Sequence, residues 1–148
     1  MGMYHYKGTG LDNVYLTNGY REVKYGDEIA TSVMDVEGLH KAIVAHLICQ
    51  SSKLGGKEIR FLRNEINLPQ GALAELLGVD VQTVANWEKS VHEINGAAER
   101  LLRLFVGERL LNRRGRVGKL LEQYAAMTNH VEERLCFQET DEGWKQAA

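Results

Sequence analysis

The side chains able to do covalent chemistry are scattered in this chain. Its five histidines share no spacing that would build a catalytic pair or a metal site. Cys49 and Cys136 lie far apart and form no CxxC knuckle. There is no HExxH and no GxSxG. Gly118-Lys119 lacks the earlier glycine and the following Ser or Thr of a phosphate loop, and Asn13 stands where Gly8-Thr9-Gly10 would need a third glycine. What does recur at helical spacing is Val81, Gln82, Ala85, Asn86 and Lys89. These carry methyls, amides and one cation, which bind but do not attack a substrate. No catalytic residue is assigned, and the chain is read as not an enzyme.

Two short helices must present that set. Leu73, Ala74 and Leu77 give an apolar face to a helix over 70–77, and Val84 and Trp87 give one to a helix over 81–88. Ala74 is small where the two must cross closely. Gly78 falls just past the first helix, where a left-handed backbone ends it without Cβ strain. Val79 can plug the angle between them, and Asp80 can cap the second. Two helices joined by such a turn form a helix-turn-helix.

Residues 70–90 resemble the Cro/repressor (Xre-type) helix-turn-helix family. Gln70, Leu73, Ala74, Leu77, Gly78, Val79, Thr83, Val84, Trp87 and Glu88 match its pattern, and Ser90 departs from its closing glycine. The resemblance extends over about 55–106. It implies that the second helix lies in a major groove of double-stranded DNA. Val81, Gln82 and Asn86 are then the base contacts, with the Gln82 amide suited to adenine and Val81 to a thymine methyl. Gln70, Thr83, Lys89, Arg60 and Arg63 are the phosphate contacts. Gln70 has an equal reading as a capping residue, and Arg60 and Arg63 have one as a solvated helix face. Leu73, Ala74, Leu77, Gly78, Val79, Val84 and Trp87 form the structural core of the motif, and Glu88 orients its neighbours locally.

The fold class expected is α+β, mostly α. Residues 1–53 form a β-rich region with one helix, 54–115 the DNA-binding domain, and 116–148 a C-terminal helix and tail. Val14–Thr17, Asn18-Gly19 and Tyr20–Tyr25 predict a hairpin, because Asn-Gly accepts the positive φ of a type I′ turn. Gly26-Asp27 marks a further turn before a third strand over Ile29–Val33. Asp35 predicts an N-cap for a helix reaching about residue 51, which would bury Cys49. Past the Ser51–Gly56 linker come helices starting near Lys57, at Gln70, at Val81 and at Ala97. An apolar stripe of Val117, Leu120, Leu121, Tyr124, Met127, Val131 and Leu135 predicts a last helix and a five-helix module. Leu120, Tyr124, Met127 and Val131 are the dimer candidates, packing on the preceding helix being the alternative.

Composition agrees with a globular chain: hydrophobic residues are 44% and charged ones 26%, so a disordered chain is excluded. The net charge of -2 excludes a polybasic coat. It is uneven, with seven Lys/Arg against three Asp/Glu over 91–120 and two against six over 121–148, so one face can still hold a polyanion. No apolar run reaches the roughly 18 residues of a membrane span, and no secretory signal is read at the start. A bacterial cytoplasm, with the protein on the nucleoid when bound, is the expected location.

The first 52 residues bear a second, weaker resemblance, to bacterial regulators in which a β-domain precedes an Xre module, MqsA-type antitoxins among them. Tyr6, Gly10–Leu16, Asn18-Gly19, Tyr25-Gly26 and Asp35–Ala42 carry it. Relatives of that type hold zinc with N-terminal cysteines, which are missing here, and Thr9 stands where one is expected. No metal and no cofactor are therefore expected. The implied function is a DNA-binding regulator, acting as a homodimeric repressor on a palindromic operator. The alternatives are an antitoxin that also binds a toxin protein, and a small-molecule sensor or enzyme in residues 1–52, where Tyr4, Tyr6, Tyr15, Tyr20 and Tyr25 would line a pocket.

Overall fold

A computed structural model of the chain describes residues 2–111, 125–126 and 134–147. The architecture is α+β and mostly helical. Four short strands come first: β1 (Tyr4–His5), β2 (Tyr15–Leu16), β3 (Tyr20–Tyr25) and β4 (Glu28–Val33). Among the described residues five helices follow: α1 (Val36–Cys49), α2 (Gly56–Glu65), α3 (Gln70–Leu77), α4 (Val81–Glu88) and α5 (Gly96–Leu110). A hairpin of β5 (Phe137–Thr140) and β6 (Gly143–Gln146) lies in the tail.

The N-terminal strands pair differently from the sequence expectation. Asn18-Gly19 is not a hairpin turn. β2 pairs with β1, matching Tyr4 to Leu16, while β3 pairs with β4 from Tyr20↔Val33 to Tyr25↔Glu28. The two-residue turn is Gly26-Asp27, where Gly26 takes φ +61°, the positive value that primed hairpin turns need at their first position. Six consecutive pairs form around it, and the short run before Asn18 cannot compete. Gly19 keeps a positive φ of +78° as the bend between the two sheets.

Helix ends follow local signals. The Asp35 carboxylate accepts from the Gly38 amide at 3.1 Å and caps α1. The Asn95 side chain does the same for α5, through the Ala98 amide at 2.9 Å. Gly78 ends α3 at φ +70°, as its position predicts. Asp80 stands at the N-cap of α4, but its side chain makes no capping bond.

One buried cluster holds the helices together. Ile59, Phe61 and Leu62 of α2 meet Leu73 and Ala74 of α3, Val84 and Trp87 of α4, and Leu102, Phe105 and Val106 of α5. Leu11 and, from α1, Val44 and Leu47 join the same cluster, so the N-terminal region packs on the helical one. Cys49 is exposed at the last position of α1, not buried. The dimer candidates Leu120, Tyr124, Met127 and Val131 lie outside the described residues. Leu135, placed on the same helix by its spacing, is instead exposed in a non-helical stretch before β5.

Two polar links tie the N-terminal region down. Tyr6 reaches His40 Nε2 at 2.8 Å, and His40 Nδ1 meets Glu65 of α2. A carboxylate only accepts, so Nδ1 donates to Glu65, while the Tyr6 hydroxyl, able to donate or accept, pairs with Nε2. On the other side Arg103 of α5 donates to the carbonyls of Leu47 (3.2 Å), Ile48 (3.4 Å), Gln50 (2.6 Å) and Ser52 (2.8 Å), while Glu99 holds its guanidinium and accepts from the Leu54 amide. Arg103 thus satisfies carbonyls left over at the end of α1.

Candidate nucleic-acid interface

The crossing of α3 and α4 is built around one carboxylate. Glu88, on the last turn of α4, has a fully buried side chain. Arg63 of α2 donates to it twice, Nε to Oε2 at 2.7 Å and Nη2 to Oε1 at 2.9 Å. Its remaining arm, Nη1, donates to the Leu68 carbonyl at 3.0 Å. Arg60 Nε reaches Glu88 Oε1 at 3.2 Å and Gln70 Nε2 the same oxygen at 3.3 Å. Three helices are thereby joined at a single acceptor. Burial by itself raises the carboxyl pKa. The hydrogen bonds from Arg63, Gln70 and Arg60, with the Arg63 charge, outweigh it and hold the group below its ordinary range.

This arrangement divides the residues expected at phosphates. The Arg63 side chain is only 13% exposed and is fully engaged inside the domain, so it serves as a strut. Arg60 is 53% exposed and offers solvent the part of its guanidinium that Glu88 does not hold. Gln70 opens α3 behind Pro69, half-buried, its amide nitrogen turned to Glu88. Thr83 is half-buried in the first turn of α4, and Lys89 is exposed just past its end.

The outer edge of α4 carries the three residues expected at bases. Val81 is 52% exposed at the start of the helix. Gln82 is exposed and Asn86 half-buried one turn on. Gln82 Nε2 donates to Asn86 Oδ1 at 3.1 Å. On the inner edge, Val84 and Trp87 are buried with Leu73 and Ala74, while Leu77 and Val79 pack partly buried against them.

Two features of the site escaped the sequence reading. By sequence Glu88 is a local orienter, yet it reaches α2 and α3; the i, i+3 spacing of Arg60 and Arg63 is the signal for it. By sequence Gly56 belongs to the linker, yet it begins α2 pressed against the end of α4. A Cβ there would lie 2.5 Å from the Glu88 carbonyl oxygen and 2.6 Å from that of Trp87. Ser90, where the family pattern has glycine, adopts φ +60°.

Residues 59–98 match the helix-turn-helix family model, from within α2 to the start of α5. That segment is a helix-turn-helix of the Cro/C1 type, resembling Xre domains, and it supports a DNA-binding regulator. No curated protein and no solved structure matches the chain. Among the described residues no helix is long and apolar enough to cross a membrane.

Proposed function

We propose that the protein is a sequence-specific DNA-binding repressor, acting as a homodimer on a palindromic operator. The observation that carries this is the outward edge of α4, where Val81, Gln82 and Asn86 stand together on the second helix of the motif. A thymine methyl in the major groove would cover the exposed Val81 side chain. Lys89, Thr83 and the outer part of Arg60 flank this edge and suit phosphates. A single helix reads few bases. Two copies, with recognition helices about 34 Å apart on successive turns, supply the affinity of a specific site, of order 10⁻⁸ M.

Fluorescence anisotropy on the gene's own upstream DNA tests this, with a scrambled duplex as control and the salt stated. Tight binding to the promoter duplex alone, lost in the Gln82→Ala/Asn86→Ala double variant, is expected. Equal binding of both duplexes up to micromolar protein overturns it. The dimer is tested by sedimentation: Leu120→Asp with Tyr124→Asp yields a monomer if the C-terminal stripe joins the copies.

A second reading, the antitoxin, rests on the β3–β4 hairpin. It exposes Val23, Tyr25 and Ile29, at 39%, 69% and 59%, which suits a protein partner. Co-purification with the product of an adjacent small gene, lost in Tyr25→Asp, supports it; no association overturns it.

A further inference from the structure

We infer that Asn86 acts on DNA through Gln82: it fixes the orientation of the Gln82 amide and so confines one position of each half-site to adenine. The inference rests on the DNA-binding reading above.

The two residues are one helical turn apart and joined by the 3.1 Å bond from Gln82 Nε2 to Asn86 Oδ1. An amide nitrogen carries two hydrogens and the amide oxygen two lone pairs. The bond to Asn86 uses one hydrogen. A second N–H and the whole of Oε1 remain on exposed Gln82, side by side. In the major groove adenine alone presents an acceptor, N7, next to a donor, N6–H. Guanine presents two acceptors, O6 and N7, and Oε1 would face one of them.

Orientation is what an isolated glutamine lacks, because its terminal torsion is broad and roughly two-fold. A half-turn exchanges Oε1 and Nε2 and reverses the pattern offered to the groove. While Asn86 keeps Oδ1 toward Gln82, that half-turn would set Oε1 against Oδ1, two acceptors with no hydrogen between them. Being half-buried on the helix, Asn86 is the more restrained partner. Gln82 is thus the reader and Asn86 a positioning residue.

The test is selection of the full chain on a library of duplexes with a randomised core. Wild type is compared with Gln82→Ala, Gln82→Glu, Asn86→Ala and Asn86→Asp. Wild type enriches a motif with adenine favoured about ten-fold or more at one position per half-site, the discrimination of a bidentate contact. Gln82→Ala removes that preference alone. Asn86→Ala reduces it to about two-fold while the remainder of the motif persists, which a merely structural loss would not do. Asn86→Asp restores it, because an acceptor is again present, with weaker binding overall from repulsion of phosphate. Gln82→Glu, at an exposed site that leaves the fold intact, exchanges adenine for cytosine, whose N4 donates. Guanine at the Gln82-dependent position, or adenine undiminished in Asn86→Ala, overturns the inference and leaves the DNA-binding reading standing. A wild-type chain that enriches nothing overturns both.

Discussion

Arg63 and Glu88, on the first and third helices of the helix-turn-helix region, grip each other at two points, 2.7 and 2.9 Å. The carboxylate is fully buried and the guanidinium nearly so. Such a pair gives little net stability when complete, but losing one partner strands a buried charge. Glu88→Gln is therefore expected to lose about 3–5 kcal/mol at neutral pH, read by urea unfolding. An unchanged midpoint would show that Arg63 finds water instead.

The same carboxylate sets an acid limit. Its pKa is held below the ordinary range in the fold, so it adds stability at pH above that range. The contribution fades as pH falls from the unfolded value through the lowered folded one. Wild type should lose melting temperature on acidification below about pH 5, and Glu88→Gln should lose less over the same interval. Parallel curves would reject the assignment.

Tyr6 sets an alkaline limit. Burial first, then the charge of Glu65 and the neighbouring Tyr4, push its phenol above the ordinary range. The stability it contributes is complete below the unfolded value, about pH 10, and is lost as pH rises through the folded one. Tyr6→Phe gives up the bond to His40, about 1 kcal/mol at neutral pH, and should show a shallower loss above pH 10. Thermal melts of both proteins from neutral to alkaline pH check this.

Ser90 and Gly56 make opposite predictions at one contact. Ser90 holds a left-handed backbone that costs a side chain about 1–2 kcal/mol. Ser90→Gly should stabilise by about 0.5–1 kcal/mol, the rest being offset by the freer unfolded chain. Gly56→Ala drives a methyl into the carbonyls of Glu88 and Trp87 and should cost at least about 1–3 kcal/mol. Denaturant midpoints decide both, and a neutral Gly56→Ala would mean that α2 can slide away from α4.

Arg103 joins the N-terminal region to α5 through four backbone carbonyls and Glu99. Lysine has one compact charge and cannot span them. Arg103→Lys should cost about 1.5–3 kcal/mol and speed amide exchange at the end of α1 and at Leu54, with α3 and α4 unaffected. Uniform acceleration across the chain would instead place Arg103 in the global core.

The sequence by itself determined the helix-turn-helix, because its signals are local. Pro69, Gly78 and three-four apolar spacing act within a turn or two of backbone, and α3 and α4 span the expected residues. Exposure of Val81 and Gln82 followed from the same periodicity. Tertiary structure alone decided partners across longer gaps. Asn18-Gly19 had the composition of a hairpin turn, but pairing depends on which two strands match along their length, and β3 matches β4. Arg63 and Arg60 looked equivalent one turn apart on α2. Only the packing of α4 shows that one is spent on Glu88 while the other still faces solvent, since the identity of a buried partner is set by how helices cross and not by the residue that seeks it.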